Sequence, residues 1–148
     1  MKQTGTLDNA CGIIACLHAI INKLSQVSIK EGSILDKFVK DTKDLTPAER
    51  AKYLEDFKEF KEQHGEYANQ GQTEVPESAD DVAHHFVAFV KNEDGHLIEL
   101  CGLKEGPAII EENCEDLLKG VAKELQRRLE GQIITESLSM MSFCKKSE

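Results

Sequence analysis

Cys11 stands where a polar stretch beginning Gln3-Thr4-Gly5-Thr6 gives way to a nearly continuous apolar run from Ile13 to Ile21. That pattern places the thiol at the start of a helix. A thiol there meets unpaired backbone N–H groups and the positive end of the helix dipole, and both favour the thiolate. The same N–H groups, helped by an amide side chain upstream, can hold a developing oxyanion. Gly12 leaves room for a substrate backbone to approach. A thiol nucleophile also needs a base within reach, and the base needs a third group to fix its tautomer. His85 heads the apolar run Phe86-Val87-Ala88-Phe89-Val90 and is the candidate base. The residues alone leave bland alternatives open: Cys11 as a buried small hydrophobe, His85 as a strand-boundary residue. His84 falls on the opposite strand face by alternation. His18 lies roughly two helical turns beyond Cys11 and reads as a core histidine. His64 and His96 read as surface positions.

The elements that must position these groups are legible in outline. The helix after Cys11 is expected to be buried and to run to about Lys23. A shorter helix follows over 34–40, with Ser33 as N-cap. Thr46-Pro47-Ala48-Glu49 is a capping box with proline at N1. Tyr53, Leu54, Phe57 and Phe60 then recur at helical spacing, with Gly65 at C′. This aromatic stripe reads as core packing. From Glu66 to Asp81 the chain is polar and aperiodic, which suits either a functional loop or a plain mobile connector. The run from His85 to Val90 is apolar on both faces and reads as a central strand buried on both sides. Asn92-Glu93-Asp94-Gly95 is a hairpin turn returning through His96 to Cys101, and Gly102 and Gly106-Pro107 end that strand. Asn113 is the expected cap of a last helix carrying Leu117, Leu118, Val121, Leu125 and Leu129 on one face and ending at Gly131. Ser137 to Phe143 is expected to form a closing strand. The chain thus reads as helical in its first half and strand-rich in its second.

Composition sets the outer limits. The chain has 148 residues and a formal net charge of -9. That length suits one domain with a sizeable core. The negative charge argues against nucleic acid or an anionic membrane as the main partner, and suits a basic peptide tail. Neither an apolar run of transmembrane length nor a signal peptide is evident. Cys11, Cys16, Cys101, Cys114 and Cys144 are odd in number and irregularly spaced, with no Cys-x-x-Cys pair. A disulfide framework or zinc site is not expected, and a reducing compartment is.

The residues converge on a family. The chain resembles the ubiquitin carboxyl-terminal hydrolases, small thiol-dependent deubiquitinases of papain-like arrangement. The matching blocks are Lys2-Gln3-Thr4, Asn9-Ala10-Cys11-Gly12, Leu17-His18-Ala19-Ile20, Thr46-Pro47-Ala48-Glu49-Arg50 with Tyr53-Leu54, and Gly71-Gln72-Thr73. They continue through His85-Phe86, Asp94-Gly95-His96-Leu97 and Glu99-Leu100, in the same order and over nearly the whole chain. By position, Cys11 matches the family's nucleophile, His85 its general base and Gln3 its oxyanion-stabilising glutamine. The stretch from Glu66 to Asp81 matches the loop that crosses the cleft and restricts leaving groups.

The resemblance implies an α/β (α+β) papain-like thiol hydrolase fold, an antiparallel sheet flanked by helices, in a single catalytic domain over 1–148. It implies hydrolysis after the C-terminal glycine of ubiquitin or a ubiquitin-like protein, through a Cys–His pair and an acyl-thioester, with no metal or organic cofactor. A monomer in the cytoplasm, and also the nucleus, is the corresponding expectation. Three departures accompany it. Cys101 stands where the family has its orienting aspartate, and Glu99, two residues earlier on the same face, is not expected to replace it. Two extra residues lie between Gln3 and Cys11, enough to displace Gln3 unless they bulge outward. The chain also starts at the Lys-Gln-Thr block, so the domain is expected to be N-terminally incomplete relative to the family. The alternative is therefore a weakened or inactive ubiquitin-binding or regulatory remnant.

Overall fold

The computed structural model describes residues 1–3, 10–68, 70, 85–134 and 138–144. Its elements, in order, are α1 (Cys11–Ile21), α2 (Ile34–Thr42), α3 (Pro47–Asp56), α4 (Lys58–Ala68), β1 (Ala88–Lys91), β2 (Leu97–Leu100), β3 (Ala108–Glu111) and α5 (Leu117–Glu130). The three strands form an antiparallel sheet in the order β1-β2-β3.

Pairing sets the two faces. Ala88 lies opposite Leu100 and Val90 opposite Ile98, while Phe89 faces Glu99 and Lys91 faces Leu97. Residues directly opposite share a face, so the first pairs point one way and the second pairs the other. α1 packs against β1, and α5 lies across β1 and β2. Leu97, Cys114 and Val121 form a small core with Phe89, Ile110, Leu117 and Leu125 around it. A second core joins the helices: Ala10, Ile14, Leu17, Phe38 and Leu54, flanked by Ile13, Tyr53, Phe57 and Phe60. The result is a mixed fold in which α1 is anchored to both the helical core and the sheet.

Local chemistry explains most boundaries. The Ser33 hydroxyl accepts from Asp36 N and caps α2. Thr46 and Glu49 complete the reciprocal capping box of α3. The Arg50 guanidinium donates to Thr42 O and Lys43 O at 2.9 and 3.0 Å, satisfying carbonyls left open at the end of α2. In the hairpin, Asn92 N donates to His96 O, and Gly95 takes φ +84°, which a glycine adopts without strain.

Several expectations need correcting. α1 ends at Ile21, not Lys23, and is only half buried: Ile14, Leu17 and His18 face inward while Cys16 is exposed. The aromatic stripe does not form one helix, because Phe57 adopts an extended conformation (ψ 93°) and separates α3 from α4. Its ring packs 5.4 Å from Tyr53 and 6.4 Å from Phe60, so the break keeps all three aromatics in one cluster. Gly65 lies within α4, which also absorbs Glu66, Tyr67 and Ala68. Most of the expected loop, Asn69 and Gly71 to Asp81, lies outside the described residues, as does His84.

The expected central strand is shorter. His85 to Val87 precede it, and β1 is an edge strand among the described residues. β3 follows Gly106-Pro107 where no strand was expected. Asp116, not Asn113, caps α5, its carboxylate accepting from Lys119 N; Asn113 instead sits in a turn at φ 53°. Leu118 and Leu129 are exposed, so the buried face of α5 runs through Leu117, Val121 and Leu125. Ser137 lies outside the described residues, and Leu138 to Phe143 are exposed and unpaired with the sheet. His96 is structural as well, its Nδ1 accepting from Asn113 N.

Candidate active site

Cys11 is the first residue of α1, as the sequence pattern indicates, and among the described residues no side chain caps that helix end. Its backbone therefore belongs to the first turn, where N–H groups lack intrahelical partners. The residue is half-buried. Gly12 follows, and a Cβ built there would lie 3.6 Å from the Phe86 ring. That contact brings the segment carrying His85 against the start of α1. Cys11, Gly12, Leu17, Ile20, Phe60 and Phe86 are among the residues lining a shared cavity of about 520 Å³. The exposed His64 also borders it.

The second half of the site is built where β2 ends. His85 Nε2 lies 3.2 Å from Cys101 Sγ. One residue on, Gly102 O accepts the backbone N–H of Gln3 at 2.8 Å. A Cβ on Gly102 would come within 3.1 Å of Gln3 Cβ and 3.3 Å of Ile14 Cγ2, so a larger residue would have to push these neighbours back by a few tenths of an ångström. Cys101 and Gly102 thus hold His85 and Gln3 respectively, and the backbone also closes on α1 through Ile14. Of the candidate residues, His85 meets Cys101, Gln3 meets Gly102, and Cys11 lies next to Gly12, on which Phe86 packs. Among the described residues, Cys11 and His85 are not hydrogen-bonded to each other. Catalytic hydrogen bonds are often long without substrate and tighten only in the complex.

With Nε2 on Cys101, the nitrogen that can serve a second thiol is Nδ1. Partial burial lowers the His85 pKa, and the negative charge of Glu99 offsets this only in part.

Glu99 itself has another role. Its side chain is 2 % exposed. Arg128 Nη2 donates to one carboxylate oxygen and Lys104 Nζ to the other at 3.0 Å. Burial pushes this carboxyl up, but these two cations and their hydrogen bonds outweigh it and leave its pKa below the usual range. Arg128 also donates to Glu124 at 2.7 Å and stacks over Phe89, 5.5 Å from the ring centre. Glu99 is therefore bound into a buried ion network and does not orient His85. Sequence reading missed that network; the only signal was Glu124 at helical spacing from Arg127 and Arg128, opposite an inward-facing Glu99.

His18 is buried, with Nε2 3.3 Å from the Met1 amino group. Burial and that neighbouring positive charge lower its pKa, in keeping with a core histidine. All five cysteines are free. Among the described residues, no three His, Cys, Asp or Glu side chains gather closely enough to hold a metal ion.

Residues 1–130 match the profile of the ubiquitin carboxyl-terminal hydrolase family 1. The chain belongs to that family.

Relatives within it agree. Ubiquitin carboxyl-terminal hydrolase 3 of Arabidopsis thaliana is 36% identical over 150 residues, covering 99% of this chain and 61% of the relative. Human ubiquitin carboxyl-terminal hydrolase isozyme L1 is 36% identical over 149 residues, covering 98% of this chain and 63% of the relative. The chain thus spans about three fifths of the length of these hydrolases. In fold, it is similar to the Trichinella spiralis UCH37 catalytic domain, solved bound to ubiquitin vinyl methyl ester. The TM-score is 0.67 at 21% identity, over 93% of this chain and 59% of that one. The papain-like architecture of the ubiquitin carboxyl-terminal hydrolases is therefore the architecture of this chain.

Proposed function

We propose that this member of the family hydrolyses small adducts from the C-terminal glycine of ubiquitin. The observation that supports it is the Phe86 ring, next to His85, packed on Gly12 beside a helix-opening Cys11, while Gln3 is tied to the exit of β2. In this reading Cys11 Sγ attacks the carbonyl carbon of the terminal glycine as His85 Nδ1 takes the thiol proton. The N–H groups at the start of α1 and the Gln3 amide stabilise the oxyanion. His85 returns the proton to the departing amine, leaving a thioester on Cys11. Water, deprotonated by His85, then releases the ubiquitin carboxylate. The net charge of -9 suits the basic, extended tail that such a substrate presents.

A second reading is a ubiquitin-binding remnant with little turnover. Cys101 favours it, because a neutral thiol cannot stabilise an imidazolium as a carboxylate does. Turnover of ubiquitin bearing a C-terminal fluorogenic amide separates the two. The hydrolase reading requires release that disappears in Cys11→Ser while ubiquitin binding persists. Binding without any Cys11-dependent release supports the remnant.

A further inference from the structure

The cavity of about 520 Å³ beside Cys11 is walled by apolar side chains from three helices: Leu17 and Ile20 of α1, Ile34 and Leu35 of α2, and Phe60 of α4. Phe86, the residue after His85, lines it as well. Among the described residues its lining holds no carboxylate; Gln63 and His64, both exposed, supply its polar groups from α4. That combination, apolar walls with a few polar groups to fix orientation, is what binds a small apolar ligand.

Cys11 and Gly12 line the same cavity, so a group seated there lies beside the reacting thiol. A ubiquitin adduct offers two flanks to that thiol: the tail before the scissile carbonyl and the leaving group after it. The tail is basic. Walls without a carboxylate would strip water from its cations and give them no partner, which is costly. The leaving amine, by contrast, must face His85 to receive its proton, and Phe86 ties the cavity to the His85 segment.

We propose that this cavity is a leaving-group pocket, which selects adducts whose first residue carries an aromatic or branched aliphatic side chain. The inference deepens the hydrolase reading and rests on it. Burying such a side chain removes apolar surface from water on both partners, whereas a small polar one leaves the walls wet. Cys16 gives experimental access to the pocket: it lines the cavity yet is exposed, so a larger side chain there meets solvent and not the core.

The test is kcat/KM of the full chain for ubiquitin carrying phenylalanine, serine or lysine as the residue after its terminal glycine. The wild type should favour phenylalanine over serine by about tenfold, the low end of what an apolar pocket discriminates. Cys16→Trp, which fills the cavity, should collapse that ratio toward one. Cys16→Glu, which places a carboxylate in the wall, should raise lysine relative to phenylalanine. No preference for phenylalanine in the wild type overturns the proposal, whether or not either variant folds. So does a folded Cys16→Trp that slows all three substrates equally, since that result puts the common tail in the cavity. Cleavage without preference removes only the pocket's role. A chain that cleaves none of the three loses the hydrolase reading, and this inference with it.

Discussion

The backbone N–H of Gln3 donates to Gly102 O at 2.8 Å, one residue past the sulfur that meets His85. Two of the groups assigned to the reaction are thus registered to one dipeptide, Cys101-Gly102, at the end of a paired strand. Their relative placement depends on β2 more than on the chain between them.

Gly102→Ala tests that dependence. A methyl group there would meet Gln3 Cβ at 3.1 Å and Ile14 Cγ2 at 3.3 Å, both attached close to backbone. Overpacking of this kind costs about 1–3 kcal/mol. Displacement of Gln3 should also lower turnover of a ubiquitin C-terminal amide by up to about 10²-fold. Thermal unfolding and turnover would be measured together. Lost stability with unchanged turnover would mean that Gln3 is not held through Gly102.

Cys101→Asp should raise turnover while leaving KM for the ubiquitin amide nearly unchanged, because position 101 touches His85 and not the substrate. Serine proteases lose about 10⁴ when the orienting Asp becomes Asn, which sets an upper scale for the gain. A well-folded variant with wild-type turnover would show that another group already orients the imidazole.

Much of this site was readable from residue types. The capping box at Thr46–Glu49, the Ser33 cap, the hairpin turn and a thiol opening an apolar helix are local signals, and each appears where its chemistry demands. What was not readable depends on distant contacts. Phe57 breaks a helical stripe because its ring joins Tyr53 and Phe60 in one cluster, a tertiary preference that overrides helical spacing. β3 is only four residues long and gains its register from β2. Glu99 looked like an alternating strand residue, and its burial became intelligible only once Arg128 on α5 came into contact with it.

That ion network supports a stability prediction. Arg128→Met removes the cation that bridges Glu99 and Glu124, leaving Glu99, 2 % exposed, with Lys104 alone. Breaking a buried pair from one side costs about 3–5 kcal/mol. Chemical denaturation should show a loss of that order, whereas a loss under about 1 kcal/mol would place the network among surface pairs of little worth.

Acid should weaken the same network. Hydrogen bonds from Arg127 lower the Glu124 pKa, burial opposes them, and with the Arg128 contribution it falls to about 2. A carboxyl depressed in the folded state stabilises fully above its unfolded pKa and loses that contribution as pH falls through the folded value. Stability measured by denaturation should therefore decline from the ordinary carboxylate range down to about pH 2, with a shallower slope in Glu124→Gln. Identical slopes would exclude Glu124 as a contributor.

The most direct test of the central claim is reaction of the purified chain with ubiquitin vinyl methyl ester, followed by peptide mass mapping. Capture requires both recognition of ubiquitin and an activated thiol. The account predicts a mass increase of one ubiquitin, located on Cys11 and lost in Cys11→Ser. An adduct on Cys16 or Cys144, the exposed thiols, or no adduct at a concentration where ubiquitin binds, would contradict it.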